Sequence, residues 1–317
     1  MKRFARIAGF IAALSLAAYF LWFSVNNINL DVLRGMLSPA LLATLFFAAL
    51  LYAAIIPLTG WAWQRLLIGQ GQSPSLPWLI ALLATTQLAK YVPGNIAQHA
   101  SRAALAIRGG VTARILLVTV AQETVLAMAA SLSVGFLMLA VSGRTVAQLP
   151  ESSHLVVAWS VPVVFTIVIS LASVRLPPDS LADSPNRILR LVGHMGGLPG
   201  ARVALPAFAA YALNYVLIGI GLWMVGHVAG LPEALALPLV TASFALAWLL
   251  GFLAPGAPAG LGVREGIMVM LLSGAASNEH LLAFVLLARL VTMLGDAINF
   301  LLGSWWFALE AKRTGTQ

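Results

Sequence analysis

The chain has 317 residues, 61% of them apolar and only 9% charged, where soluble domains carry roughly 25% charged residues. Its net charge is +8, but Lys and Arg sit in short loops between apolar segments rather than on one basic face, so a nucleic-acid partner is excluded and a membrane expected. There is no cysteine, which excludes disulfides, thiolate chemistry and Cys-ligated metals.

A spanning helix needs about 20 apolar residues. The N-terminal run after Met1-Lys2-Arg3 is too long for a cleaved leader and reads as a first helix, 4–25. Further spans are expected at 40–63, 114–142, 154–174, 203–226 and 281–308. Two other apolar regions, 76–108 and 234–276, are each broken near the middle, at Pro93-Gly94-Asn95 and at Pro255-Gly256-Ala257-Pro258-Ala259-Gly260. Proline lacks the donor a helix needs and glycine loosens the backbone, so both regions are expected to turn back as hairpins.

Charge placement supports this. With Lys2, Arg3 and Arg6 in the cytoplasm, returning hairpins keep Arg65, Arg108, Arg114, the 175–202 loop and Lys312-Arg313 on that side. Asp31, Arg34, Arg144, Glu151, Glu233 and Glu279 fall on the other, which is acid-rich by comparison. The expectation is an all-α polytopic membrane protein: about six spanning helices, two re-entrant broken-helix hairpins and both termini cytoplasmic. Residues 1–317 then form one membrane domain. It comprises an N-terminal helix (1–34), a first half (about 38–142), a linking helix and cytoplasmic loop (143–202) and a second half (about 203–308).

The two broken regions share a spacing. Pro93-Gly94 is followed after seven residues by Arg102, and Pro255-Gly256 after seven by Arg264. In the topology above the hairpins open to opposite sides, as in an inverted-topology repeat whose broken helices build a midplane site.

Ionisable groups at membrane depth need partners or a function. The set is Lys90, Arg102, Glu123, Arg264, Glu265, Arg289 and Asp296. Setting Lys90 aside leaves three arginines and three carboxylates, a balanced group. Arg289, Thr292, Asp296 and Asn299 form one stripe along a helix, and Thr119, Gln122 and Glu123 another. Guanidinium binds oxyanions through paired hydrogen bonds, so the arginines are candidate ligands for a headgroup phosphate or carboxylate. Asn95, Gln98 and His99 line the first hairpin, and half-helix N-termini after each break add N–H donors. Glu123, Arg289 and Asp296 are expected to share one buried cavity, with Arg289 between the two carboxylates. The bland alternative is mutual neutralisation that fixes packing. His154, His194, His227 and His280 show no metal-pair spacing, no Ser occupies a nucleophile elbow, and no nucleotide-binding motif occurs. No cofactor is expected. Trp22, Trp61, Trp63, Trp78, Trp305 and Trp306 read as an interfacial belt.

The runs Lys90-Tyr91-Val92-Pro93-Gly94-Asn95-Ile96-Ala97-Gln98-His99 through Arg102, and Gly260-Leu261-Gly262-Val263-Arg264-Glu265-Gly266, resemble the hallmark segments of a known family. This is the lysylphosphatidylglycerol synthase transmembrane, or flippase-like, family, best known from the membrane region of the bacterial multiple peptide resistance factor. The resemblance implies a lipid translocator of the prokaryotic inner membrane, with membrane lipids as substrate. Because the chain stops at Gln317, it also implies a stand-alone member without the synthase domain. Phospholipids, other anionic or aminoacylated lipids and polyprenyl-linked glycans remain open as substrates, as do a separate lipid- or glycan-modifying partner enzyme, a non-transporting scaffold role and a homo-oligomer.

Overall fold

The computed structural model describes residues 30–91, 96–143, 199–254 and 258–314. The spans expected at 4–25 and 154–174 lie outside these residues. Within them the chain is helical: α1 (Leu30–Met36), α2 (Pro39–Ala53), α3 (Ile55–Gly69), α4 (Leu76–Thr85), α5 (Ile96–Arg108), α6 (Ala113–Val141), α7 (Ala201–Val228), α8 (Leu237–Leu253), α9 (Val263–Leu272) and α10 (Asn278–Thr314). Short 3₁₀ turns at Gln87–Tyr91 and Pro258–Gly260 follow α4 and α8.

Four stretches are long and apolar enough to cross a membrane: Pro39–Gly69, Ala113–Val141, Ala201–Val228 and Asn278–Glu310. The first is α2 and α3 joined through Ala54. Pro57 explains the joint, since it cannot donate to the carbonyl four residues earlier. The protein is therefore a multi-pass, all-α membrane protein.

α4 (10 residues) and α5 (13 residues) are each about 20 Å long or less, too short for a core of about 30 Å. They form a hairpin whose ends meet: Trp78, at the start of α4, lies against Gly109, just past α5, so closely that a Cβ there would sit 2.0 Å from its ring. Gln72 also reaches the Gly110 carbonyl at 3.5 Å. α8 and the 10-residue α9 pack on each other as the second hairpin. The breaks have local causes. Ala254 is extended (φ −69°, ψ 116°), as a residue before proline prefers. At the end of α4 the side chains of Thr86 and Gln87 donate to the Leu83 carbonyl at 3.0 and 3.2 Å, covering backbone groups that water cannot reach.

The two halves are related by reversal. As α2–α3 runs from Ala48 to Thr59 to Gly69, the facing α7 runs from Gly221 to Asn214 to Val203. The first helices of the halves are thus antiparallel. Other packings come in matched pairs: α6 on α8 and α10 on α4, α7 on α6 and α2 on α10. A two-fold axis perpendicular to these helices generates that pattern, which is the geometry of an inverted repeat. The hairpin tips, Gln87–Tyr91 and Pro258–Gly260, touch each other.

The ends of the bundle differ in charge. Arg65, Arg108, Arg114 and Arg202 are exposed at the end where Gly69 meets Val203. Glu233 and Glu279 are exposed at the other, where Gly226 meets Leu231 and Phe284.

Candidate functional site

Where the hairpin tips meet α6 and α10, the described residues hold three ion pairs. Lys90, in the first 3₁₀ turn, donates to Asp296 at 2.6 Å, and the Tyr91 hydroxyl donates to the other oxygen of that carboxylate at 2.6 Å. Lys90 also meets Gln87 at 3.2 Å and Tyr52 at 3.3 Å. Arg289 pairs with Glu265 at 3.4 Å and donates to the Ala259 carbonyl at 3.3 Å, its guanidinium 5.4 Å from the centre of the Tyr91 ring. Arg102 pairs with Glu123 and lies 3.8 Å from the centre of the Trp63 ring. Trp63 is itself fixed by donation from its indole nitrogen to Thr119 at 3.1 Å. α10 therefore ties down both tips, Arg289 holding the second and Asp296 the first. Low dielectric explains the pairing, since a lone buried charge is costly.

Beside these pairs lies a groove of about 240 Å³. Its walls come from the α2–α3 joint (Tyr52, Thr59), the first hairpin (Lys90, Gln98, His99, Arg102), α6 (Glu123, Thr124) and the second hairpin (Gly251, Gly260, Arg264). Arg264 differs from its neighbours. Among the described residues it makes no ion pair and no hydrogen bond; its guanidinium lies 5.0 Å from the centre of the Phe244 ring. Its aliphatic arm runs between two glycines. A Cβ on Gly251 would stand 2.3 Å from Arg264 Cγ, and one on Gly260 would stand 2.7 Å from Cδ. Gly260 also has φ 69°, so glycine is required there for conformation and for space.

Several expectations are corrected. Lys90, set aside when the other six charges were counted as balanced, pairs with Asp296, so among the described residues the intramembrane cations Lys90, Arg102, Arg264 and Arg289 face three carboxylates. Glu123, Arg289 and Asp296 do not share one cavity. Glu123 lines the groove with its own arginine, while Arg289 and Asp296 are engaged behind the wall by the hairpin tips. At the N-terminus of α9 one donor is already taken, because Glu265 accepts from the Gly262 N–H at 2.7 Å. Trp63 is fully buried and no part of an interfacial belt, unlike Trp305, which is 63% exposed. Of the remaining candidates, Gln98 and His99 line the groove. Pro258 opens the second 3₁₀ turn. Pro93, Gly94, Asn95, Pro255 and Gly256 lie outside the described residues. The sequence reading missed Trp63 as the platform for Arg102, and Tyr52 and Tyr91 as partners of the Lys90–Asp296 pair. Helical phase was the available signal for Trp63, which shares a face with buried Ile56, Gly60 and Leu67.

Half-length hairpins from two inverted halves, with Arg102 and Arg264 in corresponding helices, are the features that repeat spacing and charge placement led one to expect. The family described as Lysylphosphatidylglycerol synthase TM region matches residues 10–298. The chain belongs to that family. Arg102, Glu123, Arg264, Glu265, Arg289 and Asp296 all fall inside the matched range. Among curated proteins no match is found.

Proposed function

We propose that this family member is a lipid translocator of a prokaryotic cytoplasmic membrane, without catalytic activity of its own. The arginine-rich end of the bundle faces the cytoplasm, as the positive-inside rule prefers. The polar headgroup moves through the groove between the hairpin tips while the acyl chains stay in surrounding lipid. A headgroup in hydrocarbon loses its hydration, and this loss is the barrier to unaided crossing. Residues at both hairpin tips and along α6 replace part of that hydration at the middle of the protein. The observation that carries the reading is Arg264: a guanidinium held at the groove wall with no counter-charge among the described residues. A charge cluster serving packing alone has no use for it, because a half-buried charge at membrane depth with no partner destabilises the fold.

Reconstitution tests the reading. Purified protein in vesicles containing a chain-labelled fluorescent phospholipid is expected to speed exposure of the label to an external quencher, relative to empty vesicles. Arg102→Ala and Arg264→Ala should each slow it. Equal rates with wild-type protein and with empty vesicles would instead assign the protein a scaffold role beside a lipid-modifying enzyme.

A further inference from the structure

The charges around the groove do not cancel, and their arrangement says which headgroups it accepts. Lys90 is neutralised by Asp296 directly behind it, Arg102 by Glu123, and Arg289 by Glu265. Arg264 has no carboxylate partner among the described residues. Nor can its head swing away to an interface, as long cationic side chains commonly do, because its arm is confined between Gly251 and Gly260. Across the same groove Arg102 is only 7% exposed, and its Nε has no hydrogen-bond partner. Guanidinium groups from opposite halves thus line one space, and that of Arg264 has no counter-charge among the described residues.

We infer that the groove is selective for lipids whose headgroup has a net negative charge on phosphate, such as a phosphodiester without an amine or a polyprenyl phosphate, and that Arg264 sets this selectivity. The inference rests on reading the groove as the headgroup path. A phosphate oxyanion accepts two parallel hydrogen bonds from Arg264, with Arg102 of the other half in the same groove wall. A zwitterionic headgroup brings the same phosphate with an ammonium, but the groove's carboxylate, Glu123, is already engaged by Arg102. An aminoacylated headgroup brings still more positive charge towards Arg264 and Lys90. The expected order is anionic above zwitterionic above cationic.

Binding in detergent tests selectivity apart from transport. Trp248 lines the groove, so tryptophan fluorescence can follow titration with four probes: dihexanoyl phosphatidylglycerol, farnesyl phosphate, dihexanoyl phosphatidylcholine and a short-chain lysyl-phosphatidylglycerol. The wild-type protein should bind the two anionic probes roughly tenfold or more tighter than the others, the scale of a charge-assisted pair. The tighter of the two anionic probes then identifies the source of the phosphate. Arg264→Gln should bring the anionic probes down to the affinity of phosphatidylcholine, and a thermal unfolding transition like that of the wild type shows that the variant folds. Equal affinity of the wild-type protein for all four probes, tighter binding of lysyl-phosphatidylglycerol, or an unchanged preference in Arg264→Gln overturns the inference. The same lipids in vesicles separate the two readings. A binding preference with no lipid moved refutes translocation and leaves the selectivity; all lipids moved at equal rates refutes the selectivity and leaves translocation.

Discussion

Removing Asp296 isolates the contact that fastens the first hairpin to α10. Its side chain is 1% exposed and that of Lys90 only 16%, so solvent screens the pair little. Asp296→Ala deletes the acceptor for both Lys90 and the Tyr91 hydroxyl and leaves an ammonium in a low-dielectric setting. Breaking one member of a buried pair costs about 3–5 kcal/mol. In detergent this should lower the apparent Tm by on the order of 10 °C. The double variant Lys90→Met, Asp296→Leu removes both charges, and apolar replacements of buried pairs are commonly neutral or stabilising. Its apparent Tm should return close to wild type. Thermal unfolding followed by tryptophan fluorescence in the three proteins decides the matter. An unchanged Tm in Asp296→Ala, or a double variant as unstable as the single, would refute the pairing and with it the tether between α10 and the hairpin tip.

Other expectations follow from single contacts. Gly251→Ala places a methyl group 2.3 Å from Arg264 Cγ and should weaken anionic-lipid binding roughly tenfold by displacing the guanidinium, with little change in Tm; retained binding would show that the glycine cradle does not position Arg264. Trp63→Phe keeps an aromatic face under Arg102 but removes the donor to Thr119. A loss of about 1–3 kcal/mol is expected, read as a lower unfolding midpoint. Because the chain has no native cysteine, Arg108→Cys and Glu279→Cys report topology directly. An impermeant thiol reagent should label them from opposite sides of the membrane, and labelling from one side would contradict the two-ended charge arrangement.

Much of the architecture is legible in the sequence because bilayer thickness and proline chemistry act locally. Apolar runs of about 20 residues, Pro-Gly breaks and arginines between them place the hairpins: 76–108 is expected, and α4 begins at Leu76 while α5 ends at Arg108. Pairing among the buried charges is not legible, because it depends on where the hairpin tips land in three dimensions. Helical spacing puts Arg289 and Asp296 on one face of α10. It says nothing of Lys90 reaching across from a 3₁₀ turn 206 residues earlier in sequence. Trp63 is misread for a related reason. It lies six residues before Gly69, near enough to a helix end to resemble an interfacial residue, but the antiparallel packing of α7 and the approach of α6 enclose it. The Arg102–Arg264 correspondence is legible through repeat spacing, whereas the lack of a counter-charge at Arg264 among the described residues emerges only after the other carboxylates have been assigned.

The central claim is that lipid headgroups cross through the groove, and its most direct test is to block the groove in an active protein. Thr124 lines it from α6, and in a chain without native cysteine Thr124→Cys provides the single reactive thiol. Modification with a bulky thiol reagent in vesicles should bring phospholipid translocation down to the rate of empty vesicles, while the same treatment leaves the wild-type protein unaffected. Full translocation after stoichiometric modification of the cysteine would contradict passage through the groove.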